Sequence, residues 1–291
     1  MKYICLMALP LILSIGFLVP RAPAQSDRYS KMAPVDQYLM ERNAEIRLAR
    51  SAAPNSISSE ATILVLGRQG YETAIDGKNG FVCMVERSWM EVFDSPEFWN
   101  PKVRGADCLN PQAARSILPI VYLRARMMMA GRSRAETVSA IKAAFENKQL
   151  PNLETGAMAY MMSKSAYLTD EGDHNGPHLM FFTPVMDSKD WGVGAQGSPV
   201  VFTPLFFSPK EPSQMKGLPP IVVFAVVLTN WSDGTTATDP ISSSLPPRKR
   251  QDRRAVARLP IRYENKEYDL QYESLGGRDE PRTEQKPYLV Q

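Results

Sequence analysis

The first 24 residues set the compartment, and the compartment sets what can hold the fold together. Lys2 carries the positive charge, an apolar run spans 4–19, and Ala22-Pro23-Ala24 places small residues before Gln25. That order is the layout of a secretory signal peptide with an A-x-A cleavage site, so the mature chain is expected to begin at Gln25 and work outside the cytoplasm, in a periplasm or secreted. The apolar run is shorter than the ~20 residues a spanning helix needs, and Pro10 and Gly16 interrupt it. Cys5 leaves with the leader, and Cys83 and Cys108 remain. Two cysteines in an oxidising compartment are expected to form one disulfide. It would close a loop holding Trp89, Phe93, Phe98 and Trp99, and the Trp89 and Trp99 rings are expected to pack around it.

Loss of Lys2 and Arg21 with the leader lowers the formal charge from +3 to +1. A near-neutral chain is poorly suited to nucleic acid, which selects a broad basic face, and no such partner is expected. Three regions follow: the leader at 1–24, a globular domain at 25–235, and a basic, largely flexible extension at 236–291.

Hydrophobic spacing predicts a helix over 34–52, strands over 61–66 and 71–75, and a turn at Asp76-Gly77-Lys78-Asn79-Gly80 leading to a strand over 81–85. The last two strands read as a hairpin with Cys83 on its second arm. Residues 86–110 read as an aromatic loop. A helix over 111–130 should break near Pro119, and Ser133-Arg134-Ala135-Glu136 is a capping box opening a helix to about 148. A short helix over 154–164 is predicted to carry Met158, Met161 and Met162. Strand-like runs follow at 179–182, 199–207 and 220–228, with an edge strand near Tyr268, Leu270 and Tyr272. Runs of strands and runs of helices, rather than regular alternation, favour an α+β fold. An antiparallel or mixed sheet with packed helices is expected.

Segments 61–89 and 160–182 together resemble secreted bacterial proteins without an assigned function. The resemblance implies export to a bacterial envelope and carries over no activity and no site.

Both histidines lie in one polar stretch, Asp170-Glu171-Gly172-Asp173-His174-Asn175-Gly176-Pro177-His178. Imidazoles beside carboxylates can ligate zinc or another divalent metal. His178, at the mouth of an apolar run, is the first candidate ligand, His174 the second, and Asp173 orients or ligates. The same composition also makes an ordinary surface turn. Met127, Met128 and Met129, with Met158, Met161 and Met162, supply thioethers of the kind that bind copper, although methionine at helical spacing usually fills a core. Two S-x-x-K matches, Ser139 to Lys142 and Ser213 to Lys216, lack accompanying motifs. Arg248, Lys249, Arg250, Arg253 and Arg254 read as a solvated linker or a peripheral contact with an anionic envelope surface. The function expected from these features is an extracytoplasmic binding or accessory protein. The alternative is a metal-dependent hydrolase or copper-binding protein using His174 and His178.

Overall fold

A computed structural model describes residues 28–170, 176–207 and 212–237, together with the backbone of two strands at 257–263 and 266–272. Eight strands form one mixed sheet: β1 Thr62–Gly67, β2 Gly70–Ile75, β3 Val82–Glu86, β4 Gly105–Leu109, β5 Met158–Met161, β6 His178–Pro184, β7 Val200–Pro204 and β8 Ile221–Val227. Their order is β2-β1-β3-β4-β5-β6-β8-β7. Only β1 and β3 run parallel. The helices are α1 Arg42–Arg50, α2 Asn55–Ser58, α3 Pro111–Ser116, α4 Leu118–Met129 and α5 Arg134–Glu146. The fold is therefore α+β. Among the described residues no helix is long and apolar enough to cross a membrane.

Alternation along the strands divides the core. Leu64, Leu66, Met84 and Leu109 face Val121 and Met128 of α4 and Ile141 of α5. Ile63, Cys83, Val85, Ala106 and Cys108 face Ala49, Ala52 and Ala53 around α1. Helices thus cover both faces of this half of the sheet, which is why β1 is buried along its middle and shows no alternating polar face. At the other end, Trp191 stacks on Phe224 at 4.5 Å beside Phe202 and Val222.

The disulfide joins Cys83 and Cys108, which are direct cross-strand partners on β3 and β4. Strand β4 emerges from the stretch read as loop. The enclosed aromatics do not pack around the bridge. Trp89, Phe93, Phe98 and Trp99 are buried on the opposite face, in the α4 core, because the loop turns over the end of the sheet.

Several boundaries differ from the sequence reading. A single helix over 34–52 is replaced by a 3-10 turn at Val35–Gln37 and α1. Tyr38 turns inward between them, donating its hydroxyl to Trp99 O at 2.8 Å. Glu41 caps α1 by accepting the N–H groups of Asn43 and Ala44. The predicted β2–β3 hairpin is corrected too: β2 pairs with β1, and β3 lies on the far side of β1. The turn-like 76–80 stretch is a crossover pressed against the start of β1. A Cβ on Gly77 would sit 2.1 Å from Thr62 N, so only glycine passes there. Residues 158–161 form β5, not a helix, with Ala159 buried.

Other expectations hold. Helices α3 and α4 part at Ile117, with Pro119 in the first turn of α4. Ser133 and Glu136 form the reciprocal capping box. Met128 is fully buried, and Met127 and Met129 pack partly buried against the same core. Strand β9 Ala257–Tyr263 pairs antiparallel with β10 Lys266–Tyr272, so the stretch read as extension with one edge strand contains a hairpin.

Candidate functional site

Strand alternation sends Cys83, Val85 and Arg87 toward α1, and Met84 and Glu86 toward α4. On β4, register pairs Met84 with Asp107 and Glu86 with Gly105, so Asp107 and Glu86 are diagonal neighbours on the α4 face. Asp107 is 1% exposed, while Glu86 keeps part of its surface toward solvent. The diagonal brings the two carboxyls together in the interior, where burial favours keeping protons on both. Burial, then the charge of Asp107, pushes Glu86 well above the usual carboxyl range. Burial pushes Asp107 up to about 7, against the Cys108 N–H and the Glu86 proton that favour its charged form.

Helix α4 brings Arg124 to this pair. Its side chain is 1% exposed, its Cζ lies 4.3 Å from the centroid of Phe93, and Nη2 donates to Glu91 O at 2.5 Å. Burial lowers its pKa to about 10, although Glu86 and Glu91 favour its charge. Burial also raises Glu91 to about 7. Arg124 is therefore charged at neutral pH among three acids that release their protons late. Among the described residues, Arg124 Nε and Nη1, Asp107 Oδ1, Ser88 Oγ and Trp89 Nε1 are buried without a hydrogen-bond partner. Native interiors seldom leave such groups unpaired, since each costs about 1–3 kcal/mol.

The opposite face supplies a control. Arg87 is equally buried, yet it donates through Nη2 to Glu45 at 2.8 Å, through Nε to Tyr38 O at 2.6 Å and through Nη1 to Val85 O at 2.5 Å. Glu45 also accepts the Leu66 N–H. This ion pair fastens α1 to the sheet, and all three guanidinium nitrogens of Arg87 are engaged. Arg124 has two nitrogens, Nε and Nη1, without a partner.

Of the residues singled out from sequence, His178 opens β6 at 6% exposure, with Nδ1 2.7 Å from Gly176 O. Burial lowers its pKa, so the ring is neutral near pH 7. His174 and Asp173 lie outside the described residues, as do the leader at 1–24 and Arg248, Lys249, Arg250, Arg253 and Arg254. Among the described residues no three His, Cys, Asp or Glu side chains form a group fit to hold a metal. Asp170, at the start of the histidine stretch, is committed elsewhere. It accepts from Arg28 at 2.5 Å, Tyr29 at 2.6 Å and Lys102 at 3.1 Å, and from Tyr167. Burial opposes its charge, but these donors hold its carboxyl well below the usual range. The N-terminal segment is thereby clasped to the loop before β6. Gly192, Gly194 and Gly197, in the Gly-rich stretch, all take positive φ and fold it into successive tight turns.

Sequence reasoning missed the cluster of Glu86, Glu91, Asp107 and Arg124. The available signal was charge in apolar surroundings: Glu86 ends Val82-Cys83-Met84-Val85, and Arg124 and Arg126 interrupt a helix that is otherwise mostly apolar. Comparison with protein-family models, with curated proteins and with solved structures finds no match to this chain.

Proposed function

We propose that the chain is an exported binding protein that takes a small polar ligand at Glu86, Glu91, Asp107 and Arg124. The carrying observation is the buried Arg124 guanidinium, with Nε and Nη1 lacking partners, in the same buried cluster as Asp107, whose Oδ1 also lacks one. Buried polar groups of both kinds, with Glu86 and Glu91 only half-buried beside them, are what a ligand with few polar atoms needs for orientation. Export is supported by the leader-like 1–24 segment, the resemblance to secreted bacterial proteins and a disulfide of the kind that persists in oxidising compartments. Mass analysis of the exported protein should give an N-terminus at Gln25.

The binding reading is tested by thermal denaturation of wild type and Arg124→Leu against amino acids, carboxylates, amines, phosphates and sugars. A ligand that raises the wild-type Tm and leaves Arg124→Leu unmoved supports it. A wild type that responds to none of them sinks it.

A second reading keeps metal binding at the histidine stretch. It is favoured by one observation: Nδ1 of His178 is engaged by a backbone carbonyl, which leaves Nε2 to act as a ligand. Wild type exported through its own leader should then hold stoichiometric zinc or copper that His174→Ala/His178→Ala loses. Protein that stays metal-free after zinc or Cu(I) loading and dialysis would end this reading.

A further inference from the structure

The hairpin of β9 and β10 divides its residues by face. Its register sets Tyr268 opposite Ile261, Leu270 opposite Leu259 and Tyr272 opposite Ala257. Directly opposed residues share a face, so these apolar and aromatic positions lie together. The intervening pairs, Glu267 with Arg262, Asp269 with Pro260 and Gln271 with Arg258, fall on the other face. A two-stranded hairpin is marginal in water unless such an apolar face packs against something.

The backbone places β10 close to β7 and to the 3-10 turn Ser188–Trp191. Strand β7 ends the eight-stranded sheet and is paired along one side, to β8. The outer edge of such a strand invites pairing with other chains unless something covers it. Register across β6, β8 and β7 puts Phe181, Phe224 and Phe202 in one row. Trp191 lies on that row, stacked on Phe224 with the rings 7° from parallel and 5.9 Å from Phe181. Phe202 and Phe224 are buried, while Trp191, Phe181, Met186 and Val200 stay half-buried around them.

We infer that the hairpin is the partner of this surface within the same chain. Its Leu259, Ile261, Tyr268 and Leu270 face seats against Trp191 and the β7 edge, and its Arg258, Arg262, Glu267 and Asp269 face is left outward. Three observations meet in this assignment: an apolar face that needs a support, an aromatic surface half open at a sheet edge, and a backbone that sets the two side by side. The stretch read from sequence as an extension then closes the second half of the sheet.

Hydrogen exchange of the full chain, read by mass spectrometry, tests the fit. Wild-type amides at 257–272 are expected to be protected, to the same degree on dilution. Leu259→Lys/Leu270→Lys puts charge on the apolar face and should speed exchange at 188–191 and 200–204 roughly tenfold or more, with β1 and β3 unchanged as the record of folding. Arg258→Gln/Glu267→Gln, on the other face, should change none of these. Exchange at 188–191 and 200–204 that ignores the first pair, or answers both pairs alike, would overturn the fit. Wild-type amides at 257–272 exchanging as fast as those of an unstructured peptide would overturn it without any variant. Protection that falls on dilution would overturn the same-chain seating and give the surface to the hairpin of a second copy, which the length of the 238–256 sequence allows.

Discussion

Replacing Asp107 by asparagine isolates the energetic consequence of the buried acid pair. Asp107 rises from 3.8 to about 7 on folding. Below about pH 4 the folded and unfolded chains both hold its proton, and the contribution to stability is whole. Between those values the folded chain keeps a proton that the unfolded chain has released, so stability falls as pH rises. A rise of that size, at ~1.4 kcal/mol per pKa unit, gives about 4 kcal/mol, of which roughly 3 kcal/mol is lost between pH 5 and pH 8. The substituted amide cannot ionise and still presents an oxygen to the Glu86 proton. The variant should therefore lose roughly 3 kcal/mol less than wild type across that range, a differential Tm change of roughly 5–12 °C. His178 contributes with the opposite sign, because its lowered pKa withdraws stability as pH falls below about 6.5. It is common to both proteins and cancels in the difference. Thermal and urea denaturation from pH 5 to pH 8 measure the effect. Parallel pH profiles for the two proteins would refute the assignment of a buried, late-titrating Asp107.

Three further outcomes follow from the packing. Glu45→Ala strands the buried Arg87 and should cost about 3–5 kcal/mol in urea denaturation, whereas replacing both partners by apolar residues should cost less; a single-variant loss below about 1 kcal/mol would contradict that account. Removing the disulfide with Cys83→Ala/Cys108→Ala should cost roughly 3–4 kcal/mol on a chain-entropy basis, read in the same assay, and an unchanged midpoint would count against it. Asp170→Asn should loosen the N-terminal clasp and speed tryptic cleavage after Arg28 and Lys31 in the folded protein; identical digestion rates would show that other contacts hold the segment.

Strongly apolar or punctuated stretches were legible in the sequence. The buried runs of β1 and β8, the Pro119 break, the Ser133 capping box and the Cys83–Cys108 bridge all declare themselves locally. What escaped depends on distant partners. Gly105-Ala106-Asp107-Cys108-Leu109 has little intrinsic preference for a strand, and it becomes one because β3 and β5 lie on either side. Met158-Ala159-Tyr160-Met161 contains good helix formers, and sheet pairing overrides them. A short linker between β2 and β3 looks like a hairpin turn, and only the space beside Thr62 reveals a crossover. The acid cluster was invisible for a related reason. Its members sit on β3, a loop, β4 and α4, and no spacing rule connects them. His174 and Asp173 stand out because they are adjacent in sequence, yet of the three candidates only His178 is placed among the described residues, within a strand.

The narrowness of one strand junction bears on how the protein comes apart. Strands β4 and β5 are paired at only two positions, Cys108 with Tyr160 and Leu109 with Ala159. On one side of that junction lie β2, β1, β3 and β4 with the cross-link, and on the other lie β5, β6, β8 and β7. Strands β1 and β3 are also paired at only two positions, but α1 packs across β1, β3 and β4 and braces that junction, which leaves the line between β4 and β5 the weaker of the two. Amide exchange should resolve two cooperative blocks, and the amides of β5 should open before those of β3 or β8. On the proposed export, with the amino end leading, the first block would close and oxidise before the second arrives. The cross-linked half would then serve as the template on which the rest of the sheet is laid.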